Sequence, residues 1–216
     1  MELNHDVPRI RLLNVNPLVG ILENFTDAQT SAAITEFASQ KLKVATVHIN
    51  GESVVKPNVR TGQLSWAKHG ELPALDEMRA RIARILRIDA AYCEQVQLVK
   101  YTSSEQYVPH FDSFHFAADK YPANIRNQGQ RFFTALLYLT QNYTGGSTSF
   151  PKLGLQIRPR LGRLLIWSNT ILGGSQPHPN SLHGGDPVED GEKWIATFWF
   201  RRPPIPDPVL LTAEPV

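Results

Sequence analysis

Gly191-Glu192-Lys193-Trp194-Ile195-Ala196-Thr197-Phe198-Trp199-Phe200 is the stretch on which the fold turns. From Trp194 to Phe200 it is almost wholly apolar and rich in aromatic and β-branched residues, which reads as a strand. Lys193 at its head is awkward. A lysine pointing inward from such a strand must meet an anion there, because an unpaired buried charge is costly. Taken alone, Lys193 reads more readily as an exposed residue at a strand edge.

Working outward, Val96 and Leu98 alternate with Gln95 and Gln97, which predicts a strand running to Tyr101. Further strands are expected at Phe132–Leu139, Leu155–Arg158 and Arg163–Trp167, and a short one at Leu18–Ile21. Gly145-Gly146, Pro159, Gly162 and the Gly173–Pro179 segment break the later ones apart. Two helices precede them. Thr26-Asp27-Ala28-Gln29 resembles a capping box and opens a helix from about Asp27 to Leu42, with Ala32, Ala33, Phe37 and Ala38 as its buried stripe. Leu75, Met78, Ile82 and Ile85 recur at helical spacing from Pro73 to Ile88, and Pro73 suits a first turn. Helices first and short strands afterwards give an α+β chain, a β-barrel or double-sheet jelly roll with the N-terminal helices packed on the outside.

The 216 residues suit one domain: a helical lobe over about 1–93, a β core over about 94–202 and a proline-rich tail over 203–216. Lys plus Arg (22) nearly balances Asp plus Glu (20), so nucleic acid is not the expected partner. No apolar run reaches membrane-spanning length, and Met1–Leu13 lacks a signal-peptide core. The single cysteine, Cys93, is expected to be an ordinary part of the fold, and a reducing cytoplasm fits.

Chemistry begins with His110-Phe111-Asp112. Residues two apart on a strand face one side, so an imidazole and a carboxylate converge. The pair alone means little, since chance supplies about 0.6 such pairs here. His69-Gly70-Glu71 is one decoy, read as a solvated loop. A 2-His-1-carboxylate set on one face of an iron(II) ion leaves positions open for cosubstrate and O₂. The third ligand must come from afar. His115 is too near in sequence and His178 lies between Pro177 and Pro179. His183, ahead of Gly184-Gly185-Asp186-Pro187 and the Trp194–Phe200 strand, is the choice. A dicarboxylate cosubstrate would then be the anion that Lys193 requires.

These pieces resemble the prolyl 4-hydroxylase branch of the Fe(II)/2-oxoglutarate oxygenases. The matching residues are Tyr101, the run Tyr107 to Asp112, Gln130-Arg131, Thr134, Tyr138-Leu139, Gly145 to Pro151, Pro159 with Gly162, His183, Pro187-Val188 and Gly191 to Trp194. The match is specific over about 96–200 and looser at Val59-Arg60-Thr61. The resemblance implies a double-stranded β-helix core with Fe(II) on His110, Asp112 and His183. It implies 2-oxoglutarate held by Lys193, Thr148 and Tyr101, with ascorbate as activator. It places Arg131, Tyr107 and Trp199 along a peptide channel, although Tyr107 and Trp199 are equally consistent with core packing and Arg131 with a surface ion pair. Ser147 replaces the family's usual glutamate, Arg201 stands two residues past Trp199, and the 113–130 segment is long and has its own composition. These departures touch the substrate rather than the iron chemistry.

The expected activity is 2-oxoglutarate- and O₂-dependent hydroxylation of proline in a peptide or protein. The alternatives are hydroxylation of a free amino acid or small biosynthetic intermediate, and a non-catalytic jelly-roll binding module. An open groove favours the peptide and a closed pocket the small molecule. The presence of Asp112 argues against a halogenase, whose members lack that carboxylate. A monomer or homodimer without nucleic-acid or membrane partners is expected.

Overall fold

The computed structural model describes residues 9–49, 52–115, 128–171 and 174–202. In chain order its elements are β1 (Arg11–Val15), β2 (Leu18–Leu22), α1 (Ala28–Ser39), β3 (Lys43–Val44), β4 (Val47–Ile49), β5 (Glu52–Val54), β6 (Gln63–Ala67) and α2 (Pro73–Leu86). There follow β7 (Val96–Tyr101), β8 (Tyr107–His110), β9 (Arg131–Tyr138), β10 (Tyr143–Gly145), β11 (Thr148–Phe150), β12 (Leu155–Ile157), β13 (Leu164–Ser168), β14 (His183–Gly185), β15 (Val188–Gly191) and β16 (Lys193–Arg201).

Eight strands form a major sheet in the order β1-β2-β13-β9-β16-β7-β6-β3. A minor sheet runs β12-β11-β14-β8, and β10 pairs with β15. The pairings are antiparallel, and the two sheets face each other as a double-stranded β-helix. Side-chain parity explains the layering, because successive residues of a strand point to opposite faces. On β13, Leu164 and Ile166 face the helices while Leu165 and Trp167 face the minor sheet. On β16, Ala196, Phe198 and Phe200 face the helices, leaving Lys193, Ile195, Thr197 and Trp199 for the interior. The helical side is closed by Ile34, Ala38, Leu75, Met78 and Ile82. The inter-sheet side adds Phe150, Ile157 and Val188 from the minor sheet region to Val99, Tyr138 and Trp167 from the major one.

The strands fall within a residue or so of their sequence boundaries. The first helix differs in its face. Phe37 and Ala38 pack on the core as expected, but Ala32 and Ala33 are exposed and Ser31 and Ile34 are buried in their stead, so the first half of the stripe is shifted by about one residue. The bulky Ile34 finds the core, and the small alanines, which release little area on burial, are left outside. The helix begins with Asp27 rather than Thr26 as its cap, the carboxylate accepting from the Thr30 N–H at 2.7 Å, and it stops at Ser39 rather than Leu42. The second helix opens on Pro73, buries Leu75, Met78 and Ile82, and ends at Arg87, whose φ of 55° is left-handed. The lobe expected over about 1–93 is helical only in part: β1, β2, β3 and β6 extend the major sheet on both flanks. Gly162 lets this junction close. Its φ is +76°, and a Cβ there would stand 2.3 Å from the Thr26 carbonyl oxygen. The long 113–130 segment and the proline-rich tail fall mostly or wholly outside the described residues.

Candidate active site

The register of β8 and β14 sets His183 opposite His110. Asp112 lies two residues beyond His110, past the strand end, and the ligand atoms of the three all lie within 4.8 Å of one another. Each imidazole is fixed from behind. His110 Nδ1 lies 2.9 Å from the Val108 carbonyl, and His183 Nδ1 lies 2.8 Å from that of Ser181. A carbonyl only accepts, so each Nδ1 carries the proton and each Nε2 presents a lone pair to the shared point. Those Nε2 atoms stand 3.6 and 3.5 Å from the two Asp112 oxygens, too far for hydrogen bonds but suited to ligands around one ion.

The electrostatics agree with that use. Burial pushes His183 down to about 4, the neighbouring Asp112 opposing, so it is neutral at pH 7 and able to donate its lone pair. Burial alone would raise the Asp112 carboxyl. His183 and His110, with Arg131 behind them, reverse this and hold it well below the usual carboxylate range. Thr134 donates to Asp112 Oδ2 at 2.7 Å, and Asn169 donates in turn to the Thr134 hydroxyl at 2.7 Å. This chain orients the carboxylate as outer hydrogen bonds do in metal sites. The donor set fits Fe(II), with one face free for further ligands.

Behind this point a cavity of about 50 Å³ runs between the sheets. Lys193 lines it and is only 2% exposed, yet among the described residues its Nζ makes no ion pair or hydrogen bond. Its neighbours are the rings of Tyr101 and Tyr138, 5.5 and 5.9 Å from Nζ. Burial pushes its amine down to about 8, with Asp186 partly offsetting. Thr148 shares the cavity, and its hydroxyl accepts from the Tyr138 hydroxyl at 2.6 Å. A buried cation without an anion, beside a hydroxyl and across from two imidazoles, fits a small dicarboxylate that reaches the metal with its other end. Tyr101 also lines this space, directly across the β7–β16 ladder from Lys193.

The cavity opens past Tyr107 and Trp199 into a groove of about 520 Å³. Tyr107 stacks on His110, ring centroids 3.5 Å apart, and Trp199 carries the Arg131 guanidinium 3.9 Å from its ring centroid. Arg131 is no loose surface pair. Its Nε and Nη2 donate to the two Glu94 oxygens at 2.7 and 2.8 Å, close to the Asp112 backbone. His178 is elsewhere, engaged with Asn16 and Asn180, and His69 and Glu71 sit in an exposed turn. Cys93 is buried in the helix-side core.

Sequence reading missed several groove residues. Gln97 is buried beside Arg60, so the polar half of the 96–101 alternation faces the cavity rather than water. Period-two parity with Tyr101 was the signal. Glu94 and Trp66 carried none, because a charge before a strand and an aromatic within one are common everywhere.

Residues 96–201 match the 2OG-Fe(II) oxygenase superfamily. Prolyl 4-hydroxylase 1 of Arabidopsis thaliana is 32% identical, the alignment covering 91% of this chain and 76% of that protein. Prolyl 4-hydroxylase 13 of the same plant is 31% identical over 88% of this chain and 73% of its own length. Among solved structures, the viral collagen prolyl hydroxylase of Paramecium bursaria Chlorella virus-1, as its 2OG complex, superposes with a TM-score of 0.68 at 22% identity, covering 85% of this chain and 95% of that one.

Proposed function

The chain belongs to the prolyl 4-hydroxylase-like 2OG-Fe(II) oxygenases, and from that premise we propose that it hydroxylates proline within a peptide or protein. It is an Fe(II)- and 2-oxoglutarate-dependent dioxygenase. The observation that carries the substrate reading is the groove that the described residues form beside His110 and Asp112, long enough to take a chain running past the site. The names of the plant relatives point the same way.

In this reading His110, Asp112 and His183 would hold Fe(II), and Lys193 with Thr148 and Tyr101 would hold the distal carboxylate of 2-oxoglutarate. The bound metal and cosubstrate supply O₂ activation coupled to decarboxylation, while the protein orients reactants and excludes water. Val108 and Ser181 carbonyls keep both imidazoles in the ligating tautomer. Thr134 fixes the Asp112 oxygen it binds, which would keep the carboxylate oriented toward a bound ion. Lys193, buried at the inner end of the cavity, would hold the cosubstrate there and leave the groove to the substrate. Tyr107 and Trp199 form the walls between cavity and groove, where a proline ring would rest against aromatic faces, and Arg131 braces Trp199 from behind.

The test is succinate formation by purified protein with Fe(II), 2-oxoglutarate and ascorbate, with and without prolyl peptides. Stimulation by a peptide that gains the mass of one oxygen atom on proline supports the reading. Stimulation by a free amino acid alone replaces it.

A further inference from the structure

Arg60 lies where the cavity meets the groove and lines both. It is 7% exposed. Its Nη2 donates to the neutral Gln97 amide oxygen at 2.7 Å and its Nη1 reaches the Thr46 carbonyl at 3.3 Å. Among the described residues its Nε has no hydrogen-bond partner. The Tyr107 ring lies 4.6 Å from its guanidinium carbon, which steadies the cation without neutralising it. Among the described residues no carboxylate pairs with it.

Among the described residues the groove offers no spare anion. Its described guanidiniums are Arg60, Arg131 and Arg201, and its carboxylates are Glu94 and Asp112. Asp112 belongs to the metal set. Glu94 is consumed: Oε1 accepts from Arg131 Nε at 2.7 Å and Arg201 Nε at 2.8 Å, and Oε2 from Arg131 Nη2 at 2.8 Å. One carboxylate therefore serves two guanidiniums, and the third goes without. A desolvated, unpaired guanidinium is unfavourable, and its fork geometry matches a carboxylate.

We infer that the substrate itself brings a carboxylate into the groove, beside the reacting ring, where Arg60 receives it. This rests on the prolyl hydroxylase reading and adds the charge class of the substrate. The carboxylate comes either from an acidic side chain next to the target proline or from the free end of a chain that terminates in it. A basic neighbour at the same position meets the uncompensated Arg60 and is disfavoured.

The experiment uses the full chain with Fe(II), 2-oxoglutarate and O₂, and amidated peptides with one proline flanked by alanine, glutamate or lysine. A further pair ends in proline with a free or an amidated terminus. The readouts are KM for hydroxylation and, without O₂, the Kd of each peptide. Glutamate flanks or the free terminus should lower KM and Kd about tenfold relative to neutral peptide, and the gain should shrink with salt. The arm that gains identifies the source of the carboxylate. Arg60→Gln should draw the acidic-to-neutral ratio toward one. Equal KM and Kd for glutamate and alanine peptides overturn the inference while leaving prolyl hydroxylation standing. Tighter binding of acidic peptides without any hydroxylation does the reverse. A rise in the 2-oxoglutarate KM of Arg60→Gln with the peptide ratio intact would reassign Arg60 to the cosubstrate and overturn the inference.

Discussion

At the scale of single residues, the site depends on what holds its ligands as much as on the ligands. Asp112→Ala and His183→Ala should each abolish iron-dependent succinate formation; full activity in Asp112→Ala would remove it from the metal set. Thr134→Val keeps shape but withdraws the hydroxyl that donates to Asp112 Oδ2. Metal affinity, read by anaerobic Mn(II) or Co(II) titration, should fall by about 10–100-fold with the fold intact. Lys193 permits a test of opposite sign for stability and binding. Its amine is lowered from 10.5 to about 8, so the folded protein binds fewer protons than the unfolded chain between those values. Stability without cosubstrate therefore rises with pH across that window, and below it the buried charge costs about 3 kcal/mol. Lys193→Met should raise Tm at pH 7, lose that advantage as pH climbs from 8 to 10.5, and weaken 2-oxoglutarate binding about 100-fold or more. A Tm gain that persists above pH 10.5 would point to packing rather than charge.

At the scale of elements, legibility followed periodicity. The run from Trp194 to Phe200 announced a strand by composition, and His110 with Asp112 announced a converging pair by spacing. In α1 the same kind of reading placed Phe37 and Ala38 on the core side but misplaced Ala32 and Ala33, which carry too little apolar area to fix a helix orientation against Ile34. Gln97 escaped because an alternating pattern says that two faces differ, not that the polar one meets water. Arg60 was quoted within a looser match and given no role, since its significance lies in partners 37 and 14 residues away. The end of α2 gives a prediction of its own. Arg87 is exposed in the left-handed region, where glycine has no Cβ penalty. Arg87→Gly should stabilise the protein by about 0.5 kcal/mol, a Tm gain of about 1–2 °C, with turnover unchanged.

At the scale of the whole molecule, two cores share one sheet. The helix-side core fixes the odd-even parity of β16, and that parity delivers Lys193, Thr197 and Trp199 to the opposite, working side. Ligands bound on the working side should therefore stabilise the entire fold. Mn(II) with 2-oxoglutarate in the absence of O₂ should raise the unfolding free energy by about 2.7 kcal/mol at 100 times the Kd, and Asp112→Ala should lose most of this gain. The strand order carries a last consequence. β16 stands between β9 and β7, so the final described strand is the keystone of the sheet. A ribosome making this chain delivers the flanks before the middle. Until Lys193 to Arg201 have left the exit tunnel, the inner edges of β7 and β9 lack their shared partner, and the nascent polypeptide presents unpaired strand edges of the kind that chaperones shield.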